Sequence, residues 1–336
     1  MNFKKILIFT LGFLISFSGF SQEAKDRNQE NINVNKFRQL YQEFSTPNMY
    51  RTASGAPGPA YYQQQADYKM DIELDDENKK IYGSETITYT NNSPDNLEYL
   101  WVQLDQNVRK KDSPSLLIDG SGVRPAYAPS GFTKEFLTDP FDGGFNIEYV
   151  VDENNKPLKY IVNQTMMRVD LPSVLKSGEK FSFSIKWWYN IQDHVNQDGR
   201  SGYETFDKDG NRVYIIAQFF PRMAVYNEVE GWQNYQFWGD GEFALPFGNY
   251  DVKITVPSDH ILDATGELQN RKNVFSKDMI KRFNKAKKTY DKPVMIVTQA
   301  EAEEAEKGFS KKKKTWHFQA ENVRDFAFAT SRKFIW

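Results

Sequence analysis

From Tyr61 onward, apolar and polar side chains alternate with a period of two, and this pattern sharply limits the possible fold. Tyr68, Met70, Ile72 and Leu74 alternate with polar residues, and Ile81–Thr90 alternates again after a turn. Successive strand residues point to opposite faces, so this period predicts β-strands with one wet face. Further strands are predicted at Leu97–Leu104, Phe145–Val151, Tyr160–Val162, Met166–Leu171, Lys180–Tyr189, Gly248–Val256, Ile261–Leu268, Trp316–Gln319 and Val323–Thr330. The fold class should be mainly β.

Helical patterns are short and lie near the two ends. Residues 22–60 are interpreted as an ordered lead-in strap, a segment that precedes the β-domain and is not a domain of its own. Within it, apolar residues from Val34 to Phe44 recur at helical spacing. A loop rich in Gly and Pro follows at Ser54–Pro59. Thr298 and Glu301 form a capping-box pattern, which predicts a short acidic helix near 299–307 that Gly308 ends.

Residues 1–21 have the features of a secretory signal peptide. Two lysines precede an apolar run, Ile6–Ile15, and small residues stand before Gln22. We therefore expect an exported protein, periplasmic or extracellular, and no later segment reaches the length of a membrane span. Removing the peptide takes away two lysines and no acid, so the net charge changes from −2 to −4. A nucleic-acid partner, which requires a basic face, is not expected.

Cysteine is absent, and this excludes thiol catalysis, cysteine-ligated metal and a lipoprotein anchor. A sizeable core must stabilise the fold in place of disulfides. The three histidines, His194, His260 and His317, lie far apart, and none belongs to an H-E-x-x-H helix. Each is interpreted as an ordinary strand or turn residue, and no residue of this chain is expected to bind a metal.

Several charged segments are interpreted as loops. Residues 107–143 carry many breakers and predict a long loop. The acids of 207–211 suggest a calcium loop, but the position of the glycine favours a hairpin turn. Lys311–Lys314 is interpreted as a solvated loop whose charges are balanced by nearby glutamates. The acid pairs are interpreted as solvent-facing loop charges; they are Glu228 with Glu230, and Asp240 with Glu242.

The densest apolar run, Val213–Trp238, contains one amide among apolar neighbours, Gln218. If the run begins as a strand through Phe220, both of its faces are apolar and Gln218 shares one of them. An unpaired buried amide costs about 1–3 kcal/mol. Gln218 is therefore either a hydrogen-bonded core amide or a group that faces a ligand.

Four motifs in order resemble the N-terminal β-domain of exported zinc aminopeptidases of the aminopeptidase N family. The resemblance covers about Ala60 to the last residue. The motifs are Ala66–Ile72 with Thr88–Pro94, Gln218–Tyr226 leading to Gly231–Trp232, Phe247–Pro257 and Glu321–Ala327.

This resemblance implies a large, saddle-shaped, multi-sheet antiparallel β-domain over 61–331. In the family, the zinc site and the loop that holds the substrate's amino terminus follow this region. Residues 332–336 would then begin a missing catalytic domain, and the chain's apolar last residues agree with that expectation. Zinc is expected in that domain, a partner in cis, and not in this chain. The full-length protein would hydrolyse peptides, while this chain alone should be inactive.

One family residue corresponds to a residue of this chain. The glutamine that reaches toward the substrate's first residue matches Gln218, whose amide offers a donor and an acceptor. No catalytic residue is assigned. Apolar surface around Phe219, Phe220, Tyr226 and Trp232 could then be interface toward the catalytic domain as much as core.

Two alternatives stay open. The chain could be a non-enzymatic β-sandwich module that binds carbohydrate or protein, with tryptophans as stacking platforms; the candidates are Trp187, Trp188, Trp232 and Trp238. It could also belong to a scaffold homologue that has lost its zinc ligands.

Overall fold

The structure is a computed structural model that describes residues 47–115, 126, 128–133, 137, 141–195, 197, 199, 201–239 and 244–336. All of them belong to one unit, Pro47–Trp336. The expected signal peptide and the helix of the lead-in strap lie outside the described residues, as do Asp240 and Glu242.

A seven-stranded sheet forms the centre of the fold. Its strands are β1 Gln65–Asp75, β2 Lys80–Thr90, β4 Asn146–Asp152, β7 Lys180–Asn190, β13 Gly248–Pro257, β15 Glu267–Leu268 and β16 Lys313–Val323. They lie side by side in the order β15-β16-β13-β1-β2-β7-β4. Neighbours are antiparallel except β1 and β13, which run parallel. At the start of that pair, a Cβ at Gly248 would lie 1.6 Å from the Ala66 carbonyl oxygen. Only glycine allows the two backbones to approach so closely.

Two four-stranded sheets and a small hairpin complete the β-structure of the described residues. Their strands are β3 Leu97–Gln103, β5 Tyr160–Asn163, β6 Met166–Leu175, β8 Gly202–Thr205, β9 Arg212–Ile216, β10 Arg222–Met223, β14 Ile261–Ala264 and β17 Phe328–Ser331, with the hairpin β11 Tyr226–Asn227 and β12 Gly231–Trp232. One sheet has the order β10-β3-β6-β5, and the other has the order β14-β17-β9-β8. The mainly β, multi-sheet fold class is confirmed.

The predicted alternation of apolar and polar residues determines which side chains form the core. Tyr68, Met70, Ile72 and Leu74 on β1 are all buried, as are Phe183, Ile185 and Trp187 on β7. The inward face of β2 also carries a buried acid, Glu85, opposite Met70 and Ile185. Neither oxygen of Glu85 has a hydrogen-bond partner among the described residues. Burial raises the pKa of this carboxyl well above its ordinary value.

Helices are few in the described part of the chain. A 3₁₀ helix, Asp105–Arg109, enters the predicted long loop, which also contains α1, Pro129–Phe132. Between β15 and β16 lie α2 Arg271–Val274, α3 Lys277–Ala286 and α4 Gln299–Ala305. The capping box at Thr298 and Glu301 is confirmed. No helix of the described residues is both long and apolar enough to cross a membrane.

Extension of the strand from Val213 through Phe220 is wrong. β9 ends at Ile216, and Gln218 has a φ of 51°, in the left-handed region. Extended backbone cannot continue through such a residue, so the alternation stops. Phe219 and Phe220 are consequently both buried, while Ile215 is 56% exposed.

The lysine run is a solvated loop only in its first half, because Lys311 and Lys312 are exposed and precede β16. Lys313 begins β16, and Lys314 is half-buried on it. Lys311 pairs with Glu77 at 2.6 Å and Lys313 pairs with Glu73, so the partners lie on the β1–β2 hairpin and not among nearby glutamates. Sheet pairing brings these distant segments together.

Candidate functional site

The candidate site is the segment after β9, where the chain turns at Gln218. A side chain at positive φ costs about 1 kcal/mol relative to ordinary backbone, and such residues persist only where their surroundings hold them. Gln106, a buried residue of the 3₁₀ helix, donates from Nε2 to the Gln218 carbonyl at 2.9 Å. The preceding Ala217 amide donates to Ser201 Oγ at 3.2 Å. The backbone at Gln218 is thus fixed on both sides.

Two aromatic side chains anchor the segment in the core. Phe219 packs edge-to-face on Phe328, with ring centroids 5.2 Å apart, and Phe220 packs on Tyr68 at 5.4 Å. Both phenylalanines are fully buried. They are therefore core and not interface, whereas Tyr226 and Trp232 are half-buried and pack against each other at 5.2 Å.

A buried ion network fixes the next residues. Arg222 contacts Asp105 Oδ2 through Nε at 3.1 Å and Nη2 at 2.7 Å, and Asp325 Oδ2 through Nη1 at 2.7 Å. Burial alone would lower the pKa of the Arg222 guanidinium, but the two carboxylates outweigh it and raise that pKa. The Met223 amide donates to Tyr68 Oη at 2.9 Å. The segment is therefore tied to β1, the 3₁₀ helix and the turn before β17.

The Gln218 side chain itself is half-buried, and its amide makes no hydrogen bond to any residue that the structure describes. The interpretation as a hydrogen-bonded core amide is therefore wrong. A rigid backbone presents a donor and an acceptor that remain available, an arrangement suited to orienting a polar ligand without adding charge.

The acid pairs differ from their interpretation where they are described. The Glu228 side chain is buried and pairs with Arg51, so it is not a solvent-facing charge. Glu230 is exposed, as expected. Residues 207–211 form the predicted hairpin turn between β8 and β9.

No tryptophan proposed as a stacking platform is exposed. Trp187 is fully buried, and Trp188, Trp232 and Trp238 are half-buried. Trp188 is covered by Lys80, whose Nζ lies 4.3 Å from its ring centroid. The carbohydrate-platform interpretation is therefore wrong for Trp187 and gains no support from the other three rings.

The described residues contain no cluster of three or more His, Asp or Glu side chains suited to holding a metal ion. His260 is a buried turn residue, and His317 lies on β16, 3.0 Å from Asp251 Oδ1. A zinc ion does not fit the donor sets that these residues offer.

The sequence interpretation missed Gln106 and Asp105, which hold the site from between the predicted strand Leu97–Leu104 and the loop predicted at 107–143. The roles of Gln106 and Asp105 follow from their burial in the folded structure, which the sequence does not show. A short polar run after the apolar β3 was the available signal.

No family model matches the sequence, and no curated protein matches it. Among solved structures, the M1 zinc metallopeptidase from Deinococcus radiodurans is similar, with a TM-score of 0.40 and 11% identity over 82% of this chain and 43% of that chain. A mutant of that enzyme bound to a Tyr-Ser-Ala substrate gives 0.40 and 10% over 80% and 42%. This chain therefore spans less than half the length of these proteins.

Proposed function

We propose that this chain is the N-terminal β-domain of an exported zinc metallo-aminopeptidase, that it forms one wall of the peptide cleft, and that Gln218 contacts the substrate's first residue. The proposal rests on the four motifs that resemble the aminopeptidase N family. The observation that carries it is the geometry of Gln218, an unpartnered amide on a backbone fixed in a left-handed conformation.

In this proposal, the chain's own residues bind and orient, and they do not perform the chemistry. The Gln218 carboxamide can accept a hydrogen bond from an amine and donate one to a carbonyl of the first residue. Such positioning lowers the entropic cost of reaching the reactive geometry. Zinc would be held by residues outside these 336, because the sequence has no H-E-x-x-H and the described donors do not fit a zinc site.

The decisive experiment is Gln218→Ala in the full-length enzyme, assayed on peptides with a free amino terminus. Loss of one hydrogen-bonded contact predicts about a tenfold lower kcat/KM. Gln164→Ala is a matched control: Gln164 also has positive φ, 53°, and its carbonyl is held by Asn107 Nδ2 at 2.7 Å. Unchanged kinetics for Gln218→Ala, or an equal loss for Gln164→Ala, would contradict the role of Gln218.

A separate observation tests the enzyme assignment itself. The coding sequence after Trp336 should contain H-E-x-x-H followed by a glutamate. Without that motif, the scaffold homologue or the binding module becomes the better interpretation. The 336-residue chain should not bind zinc stoichiometrically or hydrolyse peptides; a metal titration and a peptidase assay measure both.

A further inference from the structure

Residues 271–292, inserted between β15 and β16, are strongly basic although the chain as a whole is slightly acidic. They include nine lysines and arginines and two aspartates, a net charge of +7, whereas the rest of the chain carries −9 to give the total of −2. The segment consists of α2, α3 and the start of the loop that leads to α4. The mild charge of the whole chain therefore conceals a local excess of cations.

The helix α3 places its apolar side chains against the fold and its lysines in solvent. Met279 and Phe283 pack against the core. A row formed by Lys277, Lys281 and Lys285, at a spacing of four residues, lies on the opposite helix face. The exposed lysines of the segment are here called the basic surface; they are Lys272, Lys277, Lys281, Lys285, Lys287, Lys288 and Lys292.

The acids that follow in α4 are engaged with other groups. Glu301 pairs with Arg282, Glu304 with Lys307 and Glu306 with Lys333, and Glu303 accepts from Gln299. None of the seven lysines of the basic surface forms an ion pair with a residue that the structure describes. Their charges are therefore not compensated within the described fold.

The lysine row does not stabilise the helix that carries it. Like charges four residues apart repel each other, and this spacing joins Lys277 to Lys281 and Lys281 to Lys285. Lys277 also begins α3, where a cation opposes the helix dipole. Helix stability therefore does not account for the row, whereas contact with an anionic surface does.

The two arginines of the segment are used inside the fold, so the outward cations are all lysines. The Arg271 guanidinium carbon lies 4.6 Å from the Phe283 ring centroid. Arg282 donates from Nε to the Ile296 carbonyl at 2.8 Å and also pairs with Glu301. Arginine reads bases and binds single phosphates in a fixed geometry, whereas lysine is a flexible point charge. A surface of lysines alone fits a fluid array of anionic headgroups better than it fits a nucleic acid.

The loop after α3 adds exposed apolar groups. Tyr290 is 93% exposed, although its hydroxyl donates to the Lys287 carbonyl at 3.1 Å. Met295 in the same loop is 48% exposed. Aromatic and apolar side chains beside lysines can enter the interface of a bilayer while the ammonium groups stay among the headgroups.

We propose that the basic surface docks on an anionic phospholipid bilayer, with α3 parallel to the membrane plane and the Tyr290 ring in the headgroup region. A bilayer presents many anionic headgroups over the area that the seven lysines cover. Each lysine near such a surface strengthens binding about fivefold. The contact requires neither Gln218 nor the proposed peptidase function.

Co-sedimentation with lipid vesicles tests the contact. The chain from Gln22 onward is used, so that the apolar residues 6–15 do not contribute, and the compact unit Pro47–Trp336 stays intact. Vesicles of phosphatidylcholine with about one-third phosphatidylglycerol should bind the chain at least about tenfold more tightly than phosphatidylcholine alone. Raising the salt from about 0.1 M to about 1 M should abolish the binding, because the Debye length falls from about 10 Å to about 3 Å.

Substitutions assign the binding to this surface. A triple variant keeps the helix propensity of the row but removes its charge, and should bind the anionic vesicles at least about thirtyfold more weakly; it combines Lys277→Gln, Lys281→Gln and Lys285→Gln. Tyr290→Ala should weaken the binding about two- to fivefold. Circular dichroism checks that both variants fold.

A matched control removes the same charge from exposed lysines elsewhere in the chain. It combines Lys156→Gln, Lys176→Gln and Lys180→Gln. This control should bind the vesicles within about twofold of the wild type, because lysines distant from the contact are screened by salt.

Three results would overturn the proposal. The first is unchanged vesicle binding by the folded triple variant of α3, and the second is an equal loss in the control. The third is binding of a DNA duplex of about 20 base pairs, followed by fluorescence anisotropy at about 0.1 M salt, without binding of the anionic vesicles. That result would assign the basic surface to a nucleic acid.

Discussion

Gln106 Nε2 donates to the carbonyl oxygen of Gln218 at 2.9 Å and so joins the 3₁₀ helix to the residue at which β9 gives way to a turn. The next residue of the helix, Asn107, does the same for Gln164, the other glutamine at positive φ in the described chain. Two consecutive amides therefore hold two left-handed residues that are far apart in sequence. The 3₁₀ helix acts as a brace for both.

Removing the Gln106 donor from the 3₁₀ helix should lower the stability of the fold. Gln106→Met fills nearly the same space but leaves the Gln218 carbonyl without a donor, so the free energy of unfolding should fall by about 1–3 kcal/mol. Urea denaturation measures it. In the full-length enzyme, kcat/KM should also fall, because Gln218 is less well positioned. A variant as stable and as active as the wild type would show that the contact is dispensable.

Breaking the ion network around Arg222 should lower the free energy of unfolding by more than the loss of the Gln106 donor does. Arg222→Met leaves the buried Asp105 carboxylate uncompensated, and such changes cost about 3–5 kcal/mol. Adding Asp105→Asn to that variant should recover part of the loss, because the stranded charge is removed. Urea denaturation of both single variants and the double variant gives the coupling. Additive losses would mean that the two residues do not stabilise each other.

His260 predicts a dependence of stability on pH. Burial lowers its pKa from 6.5 to about 4 in the folded chain. The unfolded chain therefore binds more protons between these values, and stability should be lost as pH falls through this window, by about 3 kcal/mol from this residue.

The comparison with His260→Leu isolates this contribution. The difference in unfolding free energy between wild type and variant should change steadily from pH 6.5 to 4, and level off on either side. Asp76 and Asp259 also have lowered pKa values and act in the same direction, but mostly below their ordinary value of 3.8. A difference that does not vary with pH would rule out His260 as the cause.

For Glu85 we expect the opposite dependence of stability on pH. Burial raises the pKa of its carboxyl, so the folded chain holds a proton that the unfolded chain releases, and stability falls as pH rises above the ordinary value of 4.5. Glu85→Met removes this dependence and should stabilise the protein at pH 8 by about 1–3 kcal/mol. The gain should shrink at pH 5. Thermal unfolding at both pH values measures it, and a destabilised variant at pH 8 would disprove the account.

The sequence was sufficient for central strands such as β1, because alternation reports directly which side chains face the core, as at Tyr68–Leu74. Two predicted strands have the wrong bounds: Ile261–Leu268 divides into β14 and β15, and Val323–Thr330 is interrupted between the end of β16 and the start of β17. The sequence failed at Gln218 because a left-handed conformation depends on partners such as Gln106 that lie elsewhere in the chain. The partners of the lysine run were missed for the same reason, because Lys313 meets Glu73 only once β16, β13 and β1 are assembled. α3 was missed because its charged residues obscured the apolar spacing of Met279, Ile280 and Phe283.

The parallel pairing of β1 with β13 has a consequence for how this protein folds. Tyr68 pairs with Tyr250, 182 residues later, so the two halves of the central sheet cannot join until most of the chain is present. Pairings of such high contact order make folding slow. Until β13 arrives, the apolar edge of β1 is open to other chains. A shortened form that ends before β13 should therefore aggregate, and a chaperone that binds extended segments would be of most use during that interval.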